Sequence, residues 1–370
     1  MSSEYFIGLM SGTSADGVDA ALVEFSPAPR TLCAAHLAFS PELQRAIRAV
    51  DRDSPLHVLA RLDSLLGKLF AQAAQLVLEQ NGIAPEQVRA IGSHGQTVWH
   101  EPDGETPFTL QLGDPNTIAE LTGITTVADF RRRDIVAGGQ GAPLAPAFHA
   151  QVFGSADEDR CVLNLGGIAN ITVLPAAHPE RAFGFDTGPA STLLDSWILR
   201  HKGERYDLDG AWSATGEVIP DLLANLLADG YFQRRPPKST GREYFSLDWL
   251  EPWIAGKQYR TEDVQATLLE LTAASVADAI LRYAAGTRRV LVCGGGSRNG
   301  ALLRALAKRL PNRIIERTDD HGIAAEHVEA CAFAWLARQT MHGLAGNLPA
   351  VTGARASVIL GGIYQGRIKA

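Results

Sequence analysis

Residues 5–23 read YFIGLMSGTSADGVDAALV, and this stretch decides the fold. An apolar run enters a cluster of Ser, Gly, Thr and Asp residues and a second apolar run leaves it, which predicts a β-hairpin with a long polar tip. Residues 160–174, RCVLNLGGIANITVL, repeat the pattern of strand, glycine turn and strand. The chain therefore contains two hairpins of the same kind, one in each half.

Helices and a further strand follow each hairpin in the same order. In the first half, leucines at three- and four-residue spacings from Leu56 predict a helix that ends near Gly82, and residues 88–91 predict a strand that ends in GSHGQT. In the second half, residues 289–292 predict a strand that runs into CGGGSRNG, and leucines from Leu302 predict the next helix. We therefore expect an α/β fold of two duplicated domains that face each other.

The boundary between the two domains is predicted from a change in composition. A stretch rich in Gly and Pro at residues 138–143 is followed by an acidic loop at residues 157–159. Such segments are typical of domain boundaries. We assign residues 1–145 to an N-terminal lobe and residues 146–370 to a C-terminal lobe, and leave open whether the last segment packs back on the first lobe.

The composition excludes several classes of protein. Of the 370 residues, 46% are hydrophobic and 20% are charged, which rules out intrinsic disorder. A net charge of −7 provides no basic surplus for nucleic acid. No apolar run approaches the ~20 residues that span a bilayer, and the first residues lack the basic region of a secretory signal. We expect a cytoplasmic protein that binds neither nucleic acid nor a membrane.

The tip of the first hairpin is rich in groups that bind phosphate. Its glycines expose backbone N–H groups, and Thr13 and Ser14 add hydroxyl donors. Asp16 and Asp19 offer carboxylates that can organise Mg²⁺ through water. A plain hairpin turn is the alternative, because Asp-Gly pairs are common in turns.

The glycines at 294–296 are a weaker signal for a nucleotide. They follow a predicted strand and precede a predicted helix, as glycines that face a phosphate often do. Asn299, however, stands where a GxGxxG motif needs its third glycine, and no GxxxxGK[ST] motif occurs in the chain. A dinucleotide site of the Rossmann type is therefore poorly supported.

Candidate functional side chains occur at four further places in the chain, one of which is a run of three arginines. Asp186 follows an apolar run and precedes a Thr-Gly-Pro turn, so catalysis at a strand tip and capping of the next helix are equally supported. Glu329 begins a buried helical stretch, where a helix-start charge is favoured over a ligand contact. Residues 131–133 are three arginines, of which one faces a site unless all are solvated. His94 has no partner at metal-binding spacing and is interpreted as a structural histidine.

Together these features resemble the anhydro-N-acetylmuramic acid kinases, within the superfamily of actin, sugar kinases and ATP-driven chaperones. The strings that carry the resemblance extend over essentially the whole chain: GLMSGTSADGVD at 8–19, IGSHGQTVWHEP at 91–102, ADFRRRDIVAGGQGAPL at 128–144, NLGGIANIT at 164–172, FDTGP at 185–189, KSTGRE at 238–243 and CGGG at 293–296. One departure is that Ala190 and Ser191 stand where the family usually has Gly-Asn.

The resemblance implies two actin-like ATPase domains, with ribonuclease H-like mixed sheets and flanking helices, around a central cleft. It implies an enzyme of peptidoglycan recycling that uses ATP, Mg²⁺ and water to convert 1,6-anhydro-N-acetylmuramic acid into N-acetylmuramic acid 6-phosphate and ADP. A kinase or phosphohydrolase of the same superfamily that acts on another sugar is the alternative. The resemblance is also compatible with a homodimer.

The resemblance also implies roles for individual residues. Asp186 is the implied general base, and Arg132 and Glu329 are the implied substrate contacts. The residues implied to bind ATP are Gly12, Thr13, Ser14, Ala15, Asp16, Gly17, Val18, Asp19, Gly166, Gly167, Gly294, Gly295, Gly296 and Asn299.

Overall fold

The computed structural model describes residues 3–12, 14–26 and 28–367. Within these ranges the strands are β1 (Glu4–Ser11), β2 (Gly17–Phe25), β3 (Pro29–Ala38), β4 (Val88–Glu101), β5 (Phe108–Leu112), β6 (Thr126–Ala128), β7 (Arg160–Leu165), β8 (Ile168–Leu174), β9 (Phe183–Pro189), β10 (Arg289–Cys293), β11 (Ile314–Arg317) and β12 (Gly362–Tyr364). The helices are α1 (Pro41–Arg48), α2 (Leu56–Asn81), α3 (Pro115–Thr122), α4 (Phe130–Val136), α5 (Ala145–Phe153), α6 (Ser191–Lys202), α7 (Pro220–Leu227), α8 (Gly230–Gln233), α9 (Leu247–Ile254), α10 (Thr261–Tyr283), α11 (Gly300–Arg309), α12 (Val328–Met341) and α13 (Pro349–Thr352).

The chain divides into two compact units. The first unit comprises Met1–Val152 and Gly322–Ala370, and the second comprises Phe153–His321. These bounds differ from the predicted lobes, 1–145 and 146–370, because α5 continues through the predicted boundary and because the chain from Gly322 onward belongs to the first unit. No local feature of the sequence indicates that the chain returns to the first unit, because the apolar pattern of a helix does not show which sheet the helix packs against.

The sheet of the first unit has the strand order β12-β6-β4-β1-β2-β3, and β5 pairs with β4. Strand β2 runs antiparallel to β1 and β3, whereas β4 runs parallel to β1 and β6 parallel to β4. The predicted first hairpin is confirmed, with Met10 opposite Asp19. Strand β4 is longer than predicted, because the residues GSHGQT continue the strand to Glu101 instead of ending it.

The sheet of the second unit repeats this topology. Its order is β11-β10-β7-β8-β9, with β8 antiparallel to its neighbours and β10 and β11 parallel to β7. The same order and directions occur in β6-β4-β1-β2-β3 of the first unit. The predicted α/β fold, built from two duplicated domains with mixed sheets of the ribonuclease H-like order and flanking helices, is therefore confirmed.

Two helix predictions are confirmed at their ends. Helix α2 begins at Leu56 and ends where Gly82 adopts a left-handed conformation with φ of 60°. That conformation satisfies the last carbonyl groups of a helix and is inexpensive only for glycine. Helix α11 begins directly after Asn299, whose side chain accepts a hydrogen bond from the Leu302 backbone N–H.

Helix α12 packs against the first unit's sheet at two glycines. A Cβ atom on Gly8 of β1 would lie 1.7 Å from the Ala330 carbonyl oxygen, and one on Gly92 of β4 would lie 2.0 Å from the Phe333 carbonyl oxygen. Only glycine permits a helix backbone to approach a strand so closely. This packing fixes the position of Glu329, which precedes Ala330 in the first turn of α12.

Helix α10 is the core helix of the second unit. By length and composition it is the one helix among the described residues that could cross a membrane, which corrects the expectation that no apolar run approaches that length. However, 83% of its most apolar window is buried inside the protein. Leu268, Leu271 and Val276 of α10 belong to the same apolar core as the residues of β7 and β8. Its apolar character is therefore explained by packing.

Candidate active site

The loop between β1 and β2 contains the predicted phosphate-binding residues of the first unit. The Gly12 carbonyl oxygen accepts hydrogen bonds from the Ala15 N–H and from Gln96 Nε2, each at 3.1 Å. Ser14 Oγ donates to Asp16 Oδ1 at 2.9 Å, and Asp16 is exposed at the tip. Thr13 lies outside the described residues. The loop is therefore a turn with its hydroxyl and carboxylate groups at the surface.

Gln96 of β4 is a residue of this site that sequence reasoning missed. Its Oε1 lies 2.7 Å from Ser11 Oγ, which also lies 2.7 Å from the Gly17 carbonyl oxygen. Both Ser11 and Gln96 are buried. Gln96 therefore holds the start of the loop directly, at the Gly12 carbonyl oxygen, and its end through Ser11, which contacts the Gly17 carbonyl oxygen. The string SHGQT could have identified it, because a Gln in a buried strand needs polar partners.

Three further residues predicted to bind ATP begin strand β2, and of these only Asp19 presents a side chain to solvent. Gly17 and Val18 are buried, and Val18 contributes to the apolar core. Asp19 is partly exposed and its Oδ1 lies 2.8 Å from His36 Nδ1. Asp16 and Asp19 thus supply oxygen donors of the kind that Mg²⁺ prefers. Among the described residues no group of three or more His, Cys, Asp or Glu side chains could hold a metal ion.

Glu329 lies close to charges from two other elements of the first unit. Its side chain is exposed, yet surrounding protein atoms desolvate it and raise the pKa of its carboxyl group. The positive charge of Arg131 lowers that pKa and the negative charge of Asp19 raises it further. The structure thus brings Asp19 and Glu329, two of the predicted site residues, into one electrostatic neighbourhood. A perturbed carboxyl group of this kind is typical of functional sites.

The structure distinguishes the arginines of α4. Arg132 is exposed, and its guanidinium lies 3.4 Å from Asp129 Oδ2 and 3.4 Å from the Thr109 carbonyl oxygen. Arg131 instead is desolvated by burial, which lowers its pKa to about 10 against the opposing effect of Glu329. The side chain near Glu329 is therefore that of Arg131, a residue that the sequence did not single out from its neighbours.

Asp186 lies within strand β9 of the second unit, opposite Asn170 of β8. It therefore caps no helix: the residue before α6 is Ala190. Its Oδ2 accepts a hydrogen bond from the Thr240 N–H at 3.0 Å. Burial raises the pKa of Asp186, while the Thr240 N–H and the charge of Lys238 lower it.

The segment around Lys238 encloses Asp186 from one side. The Asp186 N–H donates to the Lys238 carbonyl oxygen at 3.2 Å, and the Tyr231 hydroxyl donates to the Asp186 carbonyl oxygen at 2.7 Å. Asp186 Oδ1 accepts no hydrogen bond from the described part of the chain. A half-buried carboxylate with one oxygen held and the other open can accept a proton from a bound water.

The two glycine turns of the second unit are shaped by close packing. The Gly166 carbonyl oxygen accepts from the Ser191 N–H and the Gly167 carbonyl oxygen accepts from the Thr192 N–H, so this turn packs on the start of α6. A Cβ on Gly167 would lie 2.6 Å from Arg242 Nε. Arg242 is therefore a cation beside this turn that sequence reasoning did not assign.

The turn before α11 contains one glycine with a left-handed backbone, Gly294, and one with free space around it, Gly295. Gly294 has φ of 81°, and a Cβ on it would lie 2.4 Å from Asn164 Oδ1. A Cβ on Gly296 would meet Leu165, whereas one on Gly295 would meet nothing within 4 Å. The backbone at Gly295 is thus accessible to a ligand. Asn299 uses its Oδ1 to cap α11, which leaves its amide nitrogen for a ligand contact.

At the position where the resembled kinases usually have the glycine of Gly-Asn, this chain does not adopt a left-handed backbone. Ala190 has φ of −118°, which is outside the left-handed region. The left-handed residue of this turn is Gly188, with φ of 154°. An alanine at position 190 is therefore compatible with the observed path of the chain beside Asp186.

Comparison with known proteins assigns this arrangement to a family. The family model described as anhydro-N-acetylmuramic acid kinase matches residues 4–366. A protein named anhydro-N-acetylmuramic acid kinase from Xanthomonas campestris pv. campestris (strain 8004) is 52% identical over 98% of this chain and 97% of its own length. Proteins of the same name from Aliivibrio fischeri (strain ATCC 700601 / ES114) and Coxiella burnetii (strain Dugway 5J108-111) are each 49% identical, over 98% and 99% of this chain and 99% of their own lengths. The chain therefore belongs to the anhydro-N-acetylmuramic acid kinase family.

Proposed function

We propose that this chain opens 1,6-anhydro-N-acetylmuramic acid with water and phosphorylates its O6 from ATP, releasing N-acetylmuramic acid 6-phosphate and ADP. The observation that carries the proposal is the family match, which extends over residues 4–366. Relatives about half identical over nearly their whole lengths bear the name of this kinase, and none of these relatives favours a different sugar. A cytoplasmic location, where ATP is available, is part of the proposal.

The reaction couples two substitutions, one at C1 of the sugar and one at the γ-phosphorus of ATP. A water oxygen adds to C1 of the sugar while the bond between C1 and O6 breaks. O6 attacks the γ-phosphorus of ATP, and the bond from that phosphorus to the β-phosphate oxygen breaks to release ADP. The proton lost by the water needs an acceptor near C1. The enzyme must therefore supply one base for the water and a set of donors for the phosphates.

Asp186 is the base in this proposal. Its position on β9 is rigid, since its backbone N–H and its carbonyl oxygen are both hydrogen-bonded and one carboxylate oxygen is held by Thr240. The other oxygen is left for the water. A carboxyl group with a raised pKa takes up a proton more readily than an ordinary aspartate near neutral pH.

ATP is held by backbone and hydroxyl groups of the glycine turns. In this proposal the loop from Gly12 to Asp19 binds the β- and γ-phosphates, because its N–H groups and hydroxyls are donors at a surface turn. Gly166, Gly167, Gly294–Gly296 and Asn299 contact the rest of the nucleotide. Asp16 and Asp19 would hold Mg²⁺, which would supply charge neutralisation during phosphoryl transfer.

Glu329 and an arginine contact the sugar. Glu329 is an exposed acceptor suited to the hydroxyl or amide groups of the sugar. For the lactyl carboxylate, both Arg131 and Arg132 are candidates, and the geometry favours Arg131. Arg132 already lies near Asp129, whereas the Arg131 guanidinium has no carboxylate oxygen within 4.0 Å among the described residues. An arginine pairs with a carboxylate through two parallel hydrogen bonds.

We expect Arg131→Gln to raise the KM for the anhydro sugar by roughly 10- to 100-fold, which corresponds to the loss of a hydrogen bond between charged groups. Arg132→Gln is the matched comparison, since it removes the neighbouring exposed guanidinium. We expect it to change that KM by less than about threefold, as for other exposed ion pairs. Steady-state kinetics with saturating ATP measure both. The reverse ranking would assign the carboxylate to Arg132.

The proposed reaction is tested directly by its product. Purified protein with ATP, Mg²⁺ and 1,6-anhydro-N-acetylmuramic acid is expected to release ADP in a coupled assay, and phosphorus NMR is expected to show a phosphomonoester at O6 of an opened ring. Glucose, N-acetylglucosamine and N-acetylmuramic acid form the comparison panel. Turnover of another sugar in the absence of turnover of the anhydro sugar would refute the proposal.

A further inference from the structure

A buried imidazole holds one side of the Arg131 guanidinium. His94 on β4 is 5% exposed, and its Nε2 lies 2.9 Å from Arg131 Nε. Because the guanidinium can only donate, His94 Nε2 must accept, and the ring is neutral. Burial and the positive charge of Arg131 hold the pKa of His94 well below its usual range, which keeps the ring in that form. The interpretation of His94 as a structural histidine thus omits a specific contact.

A second hydrogen bond holds the other side of the Arg131 guanidinium. Arg131 Nη1 donates to the Gly141 carbonyl oxygen at 2.8 Å. The loop that contains Gly141 is itself fixed, because Asp134 Oδ2 accepts the Gly141 N–H at 2.8 Å. Asp134 Oδ1 accepts from Asn347 Nδ2 at 2.8 Å and from Thr352 Oγ1 at 2.9 Å. The Gly141 carbonyl oxygen that accepts from Arg131 is therefore held in place by a buried carboxylate, both oxygens of which accept hydrogen bonds.

These two hydrogen bonds leave one edge of the guanidinium, at Nη2, without an acceptor among the described residues. Arginine has five N–H donors in a planar fork, and the hydrogen bonds of Arg131 engage Nε and Nη1. Nη2 donates to no acceptor within the described part of the chain. Side-chain entropy normally allows an arginine to adopt many orientations, but bonds on both sides remove this freedom. The unused edge is thus held in one orientation, and the charge of Glu329 acts on the same guanidinium.

We propose that His94 is a positioning residue that fixes the unused N–H edge of Arg131 for the carboxylate of the sugar substrate. The inference rests on the proposed function, since it takes the lactyl carboxylate as the anion that Arg131 binds. His94 touches neither the substrate nor the reacting atoms. Its ring also packs on Phe333, with centroids 4.7 Å apart, so its structural and positioning contributions need separate tests.

Two substitutions separate these contributions. His94→Phe keeps an aromatic ring against Phe333 and removes the acceptor, whereas His94→Gln removes the ring and supplies an amide oxygen for Arg131. We expect His94→Phe to raise the KM for the anhydro sugar by roughly 10-fold or more and to leave the KM for ATP unchanged. His94→Gln is expected to recover most of the sugar KM. Equal impairment in both variants, or an unchanged sugar KM in His94→Phe, would overturn the proposal.

A double-mutant cycle tests whether His94 acts through Arg131. If it does, His94→Phe has little further effect on the sugar KM in an Arg131→Gln background. Additive effects would contradict the proposal even if one variant were less stable. 1,6-Anhydro-N-acetylglucosamine, which lacks the lactyl group, serves as the probe without the carboxylate, and its KM is expected to be unaffected by His94→Phe. Absence of turnover of 1,6-anhydro-N-acetylmuramic acid by the unmodified protein would instead refute the proposed function itself.

Discussion

Asp186→Asn is expected to abolish turnover of the anhydro sugar, with a loss in kcat of at least ~10²–10⁴-fold, while ATP binds with nearly unchanged affinity. The substitution removes the oxygen that accepts the proton of the attacking water. An amide oxygen at the same position can still accept the Thr240 N–H, which Asp186 Oδ2 now accepts at 3.0 Å. We therefore expect the fold of the second unit to survive, and the defect to lie in chemistry.

Asp159→Asn is the matched control for this substitution. Asp159 is also a partly buried carboxylate of the second unit that accepts one backbone N–H, from Ala176 at 2.8 Å. It has no place in the proposed site, so Asp159→Asn is expected to retain activity near that of the unmodified protein. ADP release measures turnover, and calorimetric titration with a non-hydrolysable ATP analogue measures nucleotide affinity. Activity of Asp186→Asn within about threefold of Asp159→Asn would remove Asp186 from the mechanism.

The hairpins and their order were predictable from the sequence because the signals are local. The turn at 12–16 and the glycines at 166–167 interrupt apolar runs, and Gly82 ends α2 through its own left-handed conformation. Each of these depends on residues that are neighbours along the chain. The duplication of the domain followed from their repetition, and the ribonuclease H-like mixed sheets were implied by the resemblance to the kinase family.

The remainder of the site depends on contacts between residues far apart in the chain. Arg131 and Arg132 are identical in sequence character, and only the contacts of Arg131 with His94 and Gly141 distinguish them. Asp186 was equally compatible with a helix cap until its place inside β9 was known. The return of α12 to the first unit was not predictable for the same reason. The need for glycine at positions 8 and 92 becomes visible only when the helix that packs against them is known.

Gly92→Ala is expected to destabilise the first unit severely, because the contact it would make is with backbone. A Cβ on Gly92 would lie 2.0 Å from the Phe333 carbonyl oxygen and 3.0 Å from Ala337 Cβ. No rotamer change relieves such an overlap, so α12 must shift away from β4. Overpacking of a core costs about 1–3 kcal/mol and occasionally more, and we expect a cost at or above the upper end. For a unit of this size that corresponds to a fall in Tm of roughly 6–12 °C or more.

Gly230→Ala is the control, since a Cβ on this helical glycine would meet nothing within 4 Å. We expect its Tm to equal that of the unmodified protein within about 1–2 °C. Thermal unfolding followed by calorimetry compares the two variants, and the two units can unfold in separate transitions. The Gly92→Ala protein that remains folded should also show a raised KM for the sugar, because a shift of α12 displaces Glu329 from the neighbourhood of Arg131. An unchanged Tm would mean that α12 does not lie against β4 at this distance, and Glu329 would then lose its assigned place.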